Sequence, residues 1–494
     1  MTEEGNSSFA AIIIGSGFGG IGMSIRLKQA GIHDFVVLEQ ADDLGGCWRD
    51  NGYPGAECDV PSHLYSFSFE PKFDWSKTFA PQREILDYIR FCAEKYGVMP
   101  HIRYRQQVQR AAFDEARQLW CVTTSSGATL FARCLIPACG QLSRPLLPRI
   151  PGLADFRGKL FHSATWDHAY DLRGKRVAVI GTGASAIQFV PEVAKQAAQL
   201  MLFQRSAPYI LPKPDRAYRA WEKSWMQRLP LLHRLSRSAF YLQHEVRAIA
   251  FSKITSTMAL FKPKIRRYMQ RWVRDPQLQA KLSPDYPLGC KRILMSNNYF
   301  QALTQENVSV ITEDVRAIGA DAVETADGQH WPVDAIIFGT GFQATDFLAP
   351  IEVIGRDGLN LNQAWREGAE AYLGVCVSGF PNLFMLYGPN TNLGHNSILF
   401  MLECQIRYVL SCIRYLQAQP AKASLDVLPR VQQSFNRRLQ QQIRRTVWEQ
   451  GCHSWYRNAA GKNTNNWPGF TLSYRYLTRR IRPQDYLPYA SGMQ

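Results

Sequence analysis

Two glycine-rich turns constrain this chain more than any other feature of it. Phe9–Ile14 is a continuous apolar run, as expected of a parallel strand buried on both faces, and Gly15-Ser-Gly17-Phe18-Gly-Gly20 follows at once in the spacing G-x-G-x-x-G. Lys175–Ile180 repeats the strand, and Gly181-Thr182-Gly183-Ala184-Ser185-Ala186 repeats the turn with alanine in the last place. The first glycine permits a tight turn. The second lets a pyrophosphate approach the backbone, and the third lets the following helix pack on its strand. That helix then offers free N–H groups to a phosphate. Two such units predict an α/β chain with two Rossmann-like dinucleotide-binding domains.

The residues after each helix separate the two nucleotides. In the first unit a helix over 21–30 stops at Gly31, and Phe35–Leu38 forms a second strand ending in Glu39. A carboxylate there accepts the hydroxyls of an adenosine ribose, which suits FAD. In the second unit a helix over 187–198 leads to the strand Leu200–Phe203, followed by Gln204, Arg205 and Ser206. An acid at that point would repel a 2′-phosphate, whereas arginine and a hydroxyl receive one, so NADPH is favoured over NADH. A plain surface charge is the competing reading of Arg205.

Between and beyond these units the chain is less explicit. Gly45–Trp48 and Tyr53–Asp59 are too rich in Gly and Pro for helix and read as ordered loops. Their aromatics suit the flank of a flat ring with Asp59 beside it; an ordinary turn at Pro54-Gly55 is the simpler alternative. A helix over 83–95, antiparallel strands over 102–140 and a proline-rich linker over 145–151 follow. Residues 208–283 are helical in pattern, basic and aromatic. They read as a helical insertion in the NADPH domain that walls a substrate pocket. A membrane-surface helix over Lys262–Arg274 is the sharper alternative. Lys291 and Arg292 stand in a turn, and Val308–Ile311 resumes the fold. Val333–Phe342 reads as a strand with a Gly-Thr-Gly exit, Gly379–His395 as a strand ending in a polar loop, and Ser397–Leu416 as a helix. The expected division is 1–145 for the first part of the FAD domain and 146–207 for a linker and the first part of the NADPH domain. The insertion occupies 208–283, the rest of the NADPH domain 284–333, and the rest of the FAD domain with a C-terminal loop region 334–494.

Composition narrows the class. With 494 residues and 46% hydrophobic content the chain has room for more than one domain. It has no run of 18 uncharged apolar residues, so no spanning helix is expected. Met1–Ser8 is acidic and polar rather than a signal peptide, and a cytoplasmic protein is expected. The eleven cysteines are scattered without a C-x-x-C pair, which predicts reduced thiols, no metal site and no redox disulfide of the reductase kind. The excess of 16 Lys and Arg over Asp and Glu is spread out apart from an enrichment over 213–274. Cations for polyphosphate cofactors and a solvated surface account for it more simply than nucleic acid does.

The stretch between the fingerprints is more specific than either. Phe156, Gly158, His162, Trp166 and Asp167 stand in the spacing F-x-G-x-x-x-H-x-x-x-W-D. This resembles the signature of type I Baeyer–Villiger monooxygenases, within the class B flavoprotein monooxygenases, at every fixed position. Gly45, Gly46, Trp48, Tyr53, Pro54, Gly55 and Asp59 match a second motif of that family, and the resemblance runs over nearly the whole chain. Flavin-containing and N-hydroxylating monooxygenases share the start of the signature but usually lack its W-D tail. Two departures touch the cofactor region: Glu57 stands where many members have Arg, and Cys47 where many have Thr.

The resemblance implies FAD and NADPH as cofactors. It implies a ketone and O2 as substrates, joined into an ester or lactone through a C4a-peroxyflavin. It assigns Arg292 as the catalytic cation, with Asp59 holding it. Gly46, Cys47, Trp48, Asp59 and Tyr65 fall around the flavin, Lys291, Arg205 and Ser206 on the 2′-phosphate, and Trp455 beside the nicotinamide. His162 reads as a hydrogen-bonding anchor that couples nicotinamide-domain movement to the flavin, rather than as a base. Two other functions stay open at this level: oxidation of sulfur or nitrogen by the same fold, and a basic FAD-binding module for interaction or a membrane surface.

Overall fold

The structure, a computed structural model, describes residues 8–252, 255–452 and 454–487. The acidic segment 1–7 lies outside the described residues. The first sheet has seven strands: β1 (Ser8–Ile14), β2 (Phe35–Leu38), β3 (Ile102–Arg103), β4 (Val108–Asp114), β5 (Leu119–Thr124), β6 (Thr129–Pro137) and the late β17 (Glu352–Ile354). Their order is β17-β4-β5-β6-β1-β2-β3. Apolar β1 lies at the centre, parallel to β2 and β6, with Ile12 level with Val36 and Leu135. The half-exposed strands β4, β5 and β6 form the expected antiparallel meander.

Helix α1 (Phe18–Gln29) begins directly after Gly17, earlier than the expected residue 21. Gly20 therefore sits inside the helix, where a Cβ would come within 1.9 Å of the Gly15 carbonyl oxygen. Only glycine permits that approach of helix to strand. The expected loop at 45–48 contains one helical turn, α2 (Cys47–Asp50). Gly46, at φ 53°, lets the chain enter it despite the glycine-rich composition. Helix α3 (Gln82–Lys95) follows.

The second sheet is all-parallel: β7 (Lys159–His162), β8 (Arg176–Ile180), β9 (Gln199–Phe203), β12 (Val308–Ile311) and β16 (Ala335–Phe338), in the order β12-β9-β8-β16-β7. Strand β16 lies between β8 and β7, so the chain leaves this sheet after Phe338 and not at the expected 334. Its four residues are buried and take a partner on each side, which makes it interior to the sheet. Helix α4 (Ala186–Ala194) is shorter than expected, because Ala198 N–H already bonds to Lys175 as the chain turns into β9. A small antiparallel sheet of β13 (Val315–Ile318), β14 (Ala322–Thr325) and β15 (His330–Pro332) completes this half.

Between β9 and β12 the chain makes a long excursion. It holds β10 (Ile210–Leu211), α5 (Ala220–Arg228), α6 (Pro230–Ser252), α7 (Lys262–Trp272), α8 (Pro276–Lys281), β11 (Leu294–Met295) and α9 (Tyr299–Leu303). Strands β10 and β11 pair in parallel as a separate two-stranded ribbon. The strand expected over 379–395 does not form. Leu383 makes one bridge to Leu135, and Asn382, Tyr387 and Asn390 adopt positive φ, which ends any extended run. The helix expected after it is present as Ile398–Gln417.

Candidate active site

The N-terminus of α1 and the turn at 45–47 face a cavity of about 260 Å³. Gly15, Gly17, Phe18, Glu39, Gly46, Cys47 and Tyr65 line it, and Gln106 and Tyr387 complete its wall. A Cβ on Gly46 would lie 3.2 Å from the Gly17 Cα, so the two bare backbones pack against each other at the cavity edge. With no side chains there, a pyrophosphate in the cavity can approach the backbone closely. Glu39 is buried at the strand end, with Oε2 accepting from the Ser16 amide at 2.9 Å and the Ser16 hydroxyl at 2.7 Å. Its Oε1 takes Ala41 N–H at 3.0 Å and Arg49 at 3.2 Å, which fixes the carboxylate against the cavity. Trp48 Nε1 donates to the Tyr65 hydroxyl at 3.1 Å, and Tyr65 also meets Phe18 edge-on on the cavity wall, whereas Tyr53 packs on Phe189 of α4 instead.

Arg292 and Asp59 meet beside this wall. Nε at 3.0 Å and Nη2 at 2.5 Å both donate to Asp59 Oδ2. Among the described residues, no other acceptor takes the remaining guanidinium N–H groups. Burial pushes the Asp59 carboxyl up, but Arg292, then Lys213, outweigh it and hold the group below its ordinary value. The Asp59 charge conversely raises Arg292, which stays protonated. Two phenols lie near the cation: half-buried Tyr387 and buried Tyr456, the latter pushed up to about 12 by burial against the opposing pull of Arg292.

The ribbon positions this pair. Arg292 precedes β11 by two residues, and Lys213 follows β10 by two. The Lys213 side chain, 3% exposed, donates to Glu57 and, at 3.0 Å, to the Cys58 carbonyl. Glu57 also takes Lys77, which reaches Asp215 at 3.1 Å. Two adjacent cations of the ribbon thus grip the run Glu57-Cys58-Asp59 from the first domain. On the far side, Gln188 of α4 donates to the Glu57 carbonyl at 2.9 Å and accepts from Tyr53 at 3.0 Å. Neither Lys213 nor Gln188 was legible as a site residue. The one available signal was Glu57, an acid beside Asp59 that needs a cation.

On the nucleotide side of the second sheet, Lys291 Nζ donates to the Ser206 hydroxyl at 2.9 Å, and Thr182 donates to the Ser206 carbonyl at 3.1 Å. Burial, then the nearby Arg205 charge, lower Lys291. Gly181, Gly183, Ala184 and Ser185 form the turn before α4, and a Cβ on Gly181 would come 2.5 Å from the Gly339 oxygen. Two cations and a hydroxyl therefore gather past the end of β9, with Asp285 acting on Lys291 more weakly than Arg205 does.

The signature residues stitch the domains together. Phe156 is buried in the second sheet's core, and a Cβ on Gly158 would meet the Asp334 carbonyl at 2.5 Å. His162 Nδ1 accepts from Ala164 N–H at 3.1 Å, and its ring meets Phe342 edge-on at 5.6 Å. Burial lowers its pKa. Trp166 packs on Phe161 and Phe189, and Phe189 in turn meets Tyr53. Asp167 pairs with Lys159 at 2.5 Å at the surface.

The C-terminal loop approaches from another direction. Trp455 lies partly exposed with its ring 4.4 Å from that of Tyr456. One expectation fails here: Cys290 and Cys452 form a disulfide, with Cα atoms 6.3 Å apart and 162 residues between them in sequence. Scattered spacing hid the pair, because the fold and not the sequence brings the two turns together. The bond ties the turn before Lys291-Arg292 to the loop before Trp455. The other nine cysteines are free.

Two Rossmann-like units facing each other across a half-buried ion pair place the protein among the two-nucleotide oxidoreductases. Residues 10–349 match the flavin-binding monooxygenase-like family. A Baeyer–Villiger monooxygenase of Pseudomonas aeruginosa is 47% identical over 476 residues, covering 96% of this chain and 90% of the relative. The structure of an oxidised steroid monooxygenase bound to NADP superposes with a TM-score of 0.86 at 29% identity, covering 96% of this chain and 97% of that one. An OTEMO complex with FAD and NADP gives a TM-score of 0.86 at 27% identity, with the same coverage. The chain belongs to the flavin-binding monooxygenase-like family, on its Baeyer–Villiger branch.

Proposed function

We propose that the protein is an FAD-containing, NADPH-dependent Baeyer–Villiger monooxygenase that uses O2 to convert a ketone into an ester or lactone. The carrying observation is Arg292, a half-buried guanidinium tethered by Asp59 with its other N–H groups unclaimed among the described residues. Bound FAD, once reduced by NADPH, supplies the activated oxygen. Arg292 provides fixed positive charge for the negative charge that develops on the ketone oxygen, and preorganised charge of this kind is usually the largest catalytic contribution. Asp59 sets its position and makes its burial tolerable. Tyr387 and Tyr456 stay protonated and act as neutral neighbours.

The grooves fit the cofactors. Gly15, Gly17 and Gly20, with Glu39, Gly46, Cys47, Trp48 and Tyr65, would hold FAD along the cavity. Gly181–Ala186 would hold the NADPH pyrophosphate, and Arg205, Ser206 and Lys291 its 2′-phosphate, as the Lys291–Ser206 hydrogen bond and the neighbouring Arg205 charge suggest. Trp455 would close the nicotinamide side. The names of the solved relatives support FAD and NADP as the pair. The domain division is read as two halves joined by the Phe156–Asp167 stretch, with α5–α8 as the inserted wall. Dependence on NADPH fits action in the cytoplasm.

The test is to supply the holoprotein with NADPH, 18O2 and a panel of aliphatic, cyclic and aryl ketones plus a thioether. Esters carrying one 18O support the reading. Sulfoxide without any ester moves the protein to sulfur and nitrogen oxidation. A flavin that NADPH fails to bleach with every substrate overturns the monooxygenase reading itself.

A further inference from the structure

Helix α6 has an inner face packed on the protein and an apolar outer face. Its inner face is committed to the protein: His244, Ala248 and Phe251 are buried, Arg237 donates to the His63 and Ser66 carbonyls at 2.9 and 3.0 Å, and Glu245 accepts from Asn396 and Thr471, each at 2.8 Å. The outer face carries Leu231, Leu235, Leu242 and Val246, exposed by 66%, 58%, 58% and 62%. At 100° per residue these four fall within roughly 60° of one another, a single stripe along the helix. Trp221 and Trp225, one turn apart on the neighbouring α5, are exposed by 57% and 55%, their rings 6.5 Å apart. Isolated exposed leucines need no explanation, but an aligned apolar stripe beside two exposed tryptophans marks an interaction surface.

The charge of the same segment says what it meets. Residues 219–274 hold thirteen Lys and Arg against two acids, Glu222 and Glu245. Glu222 is paired with Arg216, and Glu245 is turned inward. Arg219, Arg228, Arg234 and Arg247 are exposed on α5 and α6 or at their ends, and Lys262, Lys264, Arg266 and Arg267 are exposed on α7. Two such faces brought together would repel, so a second copy of this chain is a poor partner. An anionic surface with an apolar interior is complementary to both features.

We infer that the α5–α6 face docks the protein on anionic phospholipid bilayers, with Trp221, Trp225 and the α6 stripe entering the headgroup boundary and the flanking cations meeting lipid phosphates. The contact differs from the surface expected at Lys262–Arg274. The apolar residues of α7, Ile265 and Met269, are buried against the protein, so α7 contributes charge rather than an inserting face.

The experiment is co-sedimentation of the full-length holoprotein with vesicles of phosphatidylcholine alone or mixed with phosphatidylserine, with tryptophan emission read in parallel. Partition into the anionic vesicles is expected to be at least about tenfold stronger, at about 1 kcal/mol per engaged cation, and to weaken with added salt. Leu235→Glu/Leu242→Glu is expected to lose partition and the blue shift of Trp emission, with flavin content and circular dichroism unchanged. A second variant, Lys262→Ala/Lys264→Ala/Arg266→Ala, leaves the stripe intact and is expected to lose only the preference for anionic lipid. Equal partition into both vesicle types, or an unchanged Leu235→Glu/Leu242→Glu variant, overturns the inference. So does a dimer in sedimentation velocity that this variant dissociates while vesicle binding is absent.

Discussion

Arg292 grips Asp59 through a single carboxylate oxygen: Nε at 3.0 Å and Nη2 at 2.5 Å both end on Oδ2. Because one edge of the guanidinium takes the whole tether, the other edge stays available to the site. Asp59→Asn keeps the shape and removes the charge, so the cation loses its orientation but not its place. Ester formation is expected to fall about 10²-fold, the scale of losing one preorganised donor. Anaerobic reduction of the flavin by NADPH is expected to remain within a few-fold. Stopped-flow reduction against product yield checks the split, and equal losses in both would place Asp59 outside the oxygenation step.

Lys213 acts on the same pair from behind, through Glu57 and the Cys58 carbonyl. Lys213→Met leaves Glu57 with Lys77 alone and removes a cation that helps keep Asp59 ionised. Its kcat is expected to drop about tenfold, near 1.4 kcal/mol of barrier. Adding Glu57→Gln removes the surplus negative charge, so the double variant should recover part of that loss. A double variant as slow as the two single losses multiplied would show that Lys213 and Glu57 do not act as a pair.

Nicotinamide choice should rest on Arg205 and Lys291. Each charge-assisted hydrogen bond to a phosphate contributes about 1.5–3 kcal/mol, so Arg205→Ala or Lys291→Ala should raise KM for NADPH about ten- to a hundredfold. KM for NADH, which lacks the phosphate, should stay unchanged. Initial rates with both nucleotides decide it, and a parallel rise in both constants would contradict the assignment.

Acid stability follows from four buried histidines. Burial first, then neighbouring positive charge, pushes His63, His233, His244 and His395 down to about 4, so all four are neutral in the folded protein. Unfolded histidine titrates near 6.5. A depressed folded pKa means the stabilisation is full above about 6.5 and is lost as pH falls toward about 4. Tm is expected to decline through that window. His233→Phe, which keeps the ring beside Phe73, should make the decline shallower. A Tm that is flat from pH 7 to 4 would rule this out.

What could be read from the sequence follows the range of the interaction. The strands Ile12–Ile14 and Val177–Val179 and the turns after them are local patterns, so both nucleotide units were legible. Arg292 and Asp59 are 233 residues apart and were reached only through family resemblance. Lys213 with Glu57, at 156 residues, and Cys290 with Cys452, at 162, had no motif to announce them. Positive φ at Asn382, Tyr387 and Asn390 broke an apolar run that otherwise reads as strand. The outward stripe on α6 was hidden for another reason: periodicity shows that a helix has apolar faces, but not which of them the fold covers.

On the proposed function, Arg292 serves oxygen transfer to the ketone and not the reduction that precedes it. The most direct measurement compares Arg292→Ala with the parent holoprotein in two assays: anaerobic flavin reduction by NADPH, and 18O-labelled ester formed from a ketone the parent oxidises. Reduction is expected to stay within a few-fold of the parent while ester falls by about 10²- to 10³-fold, with NADPH oxidation continuing uncoupled. Ester formation at near the parent rate would contradict it.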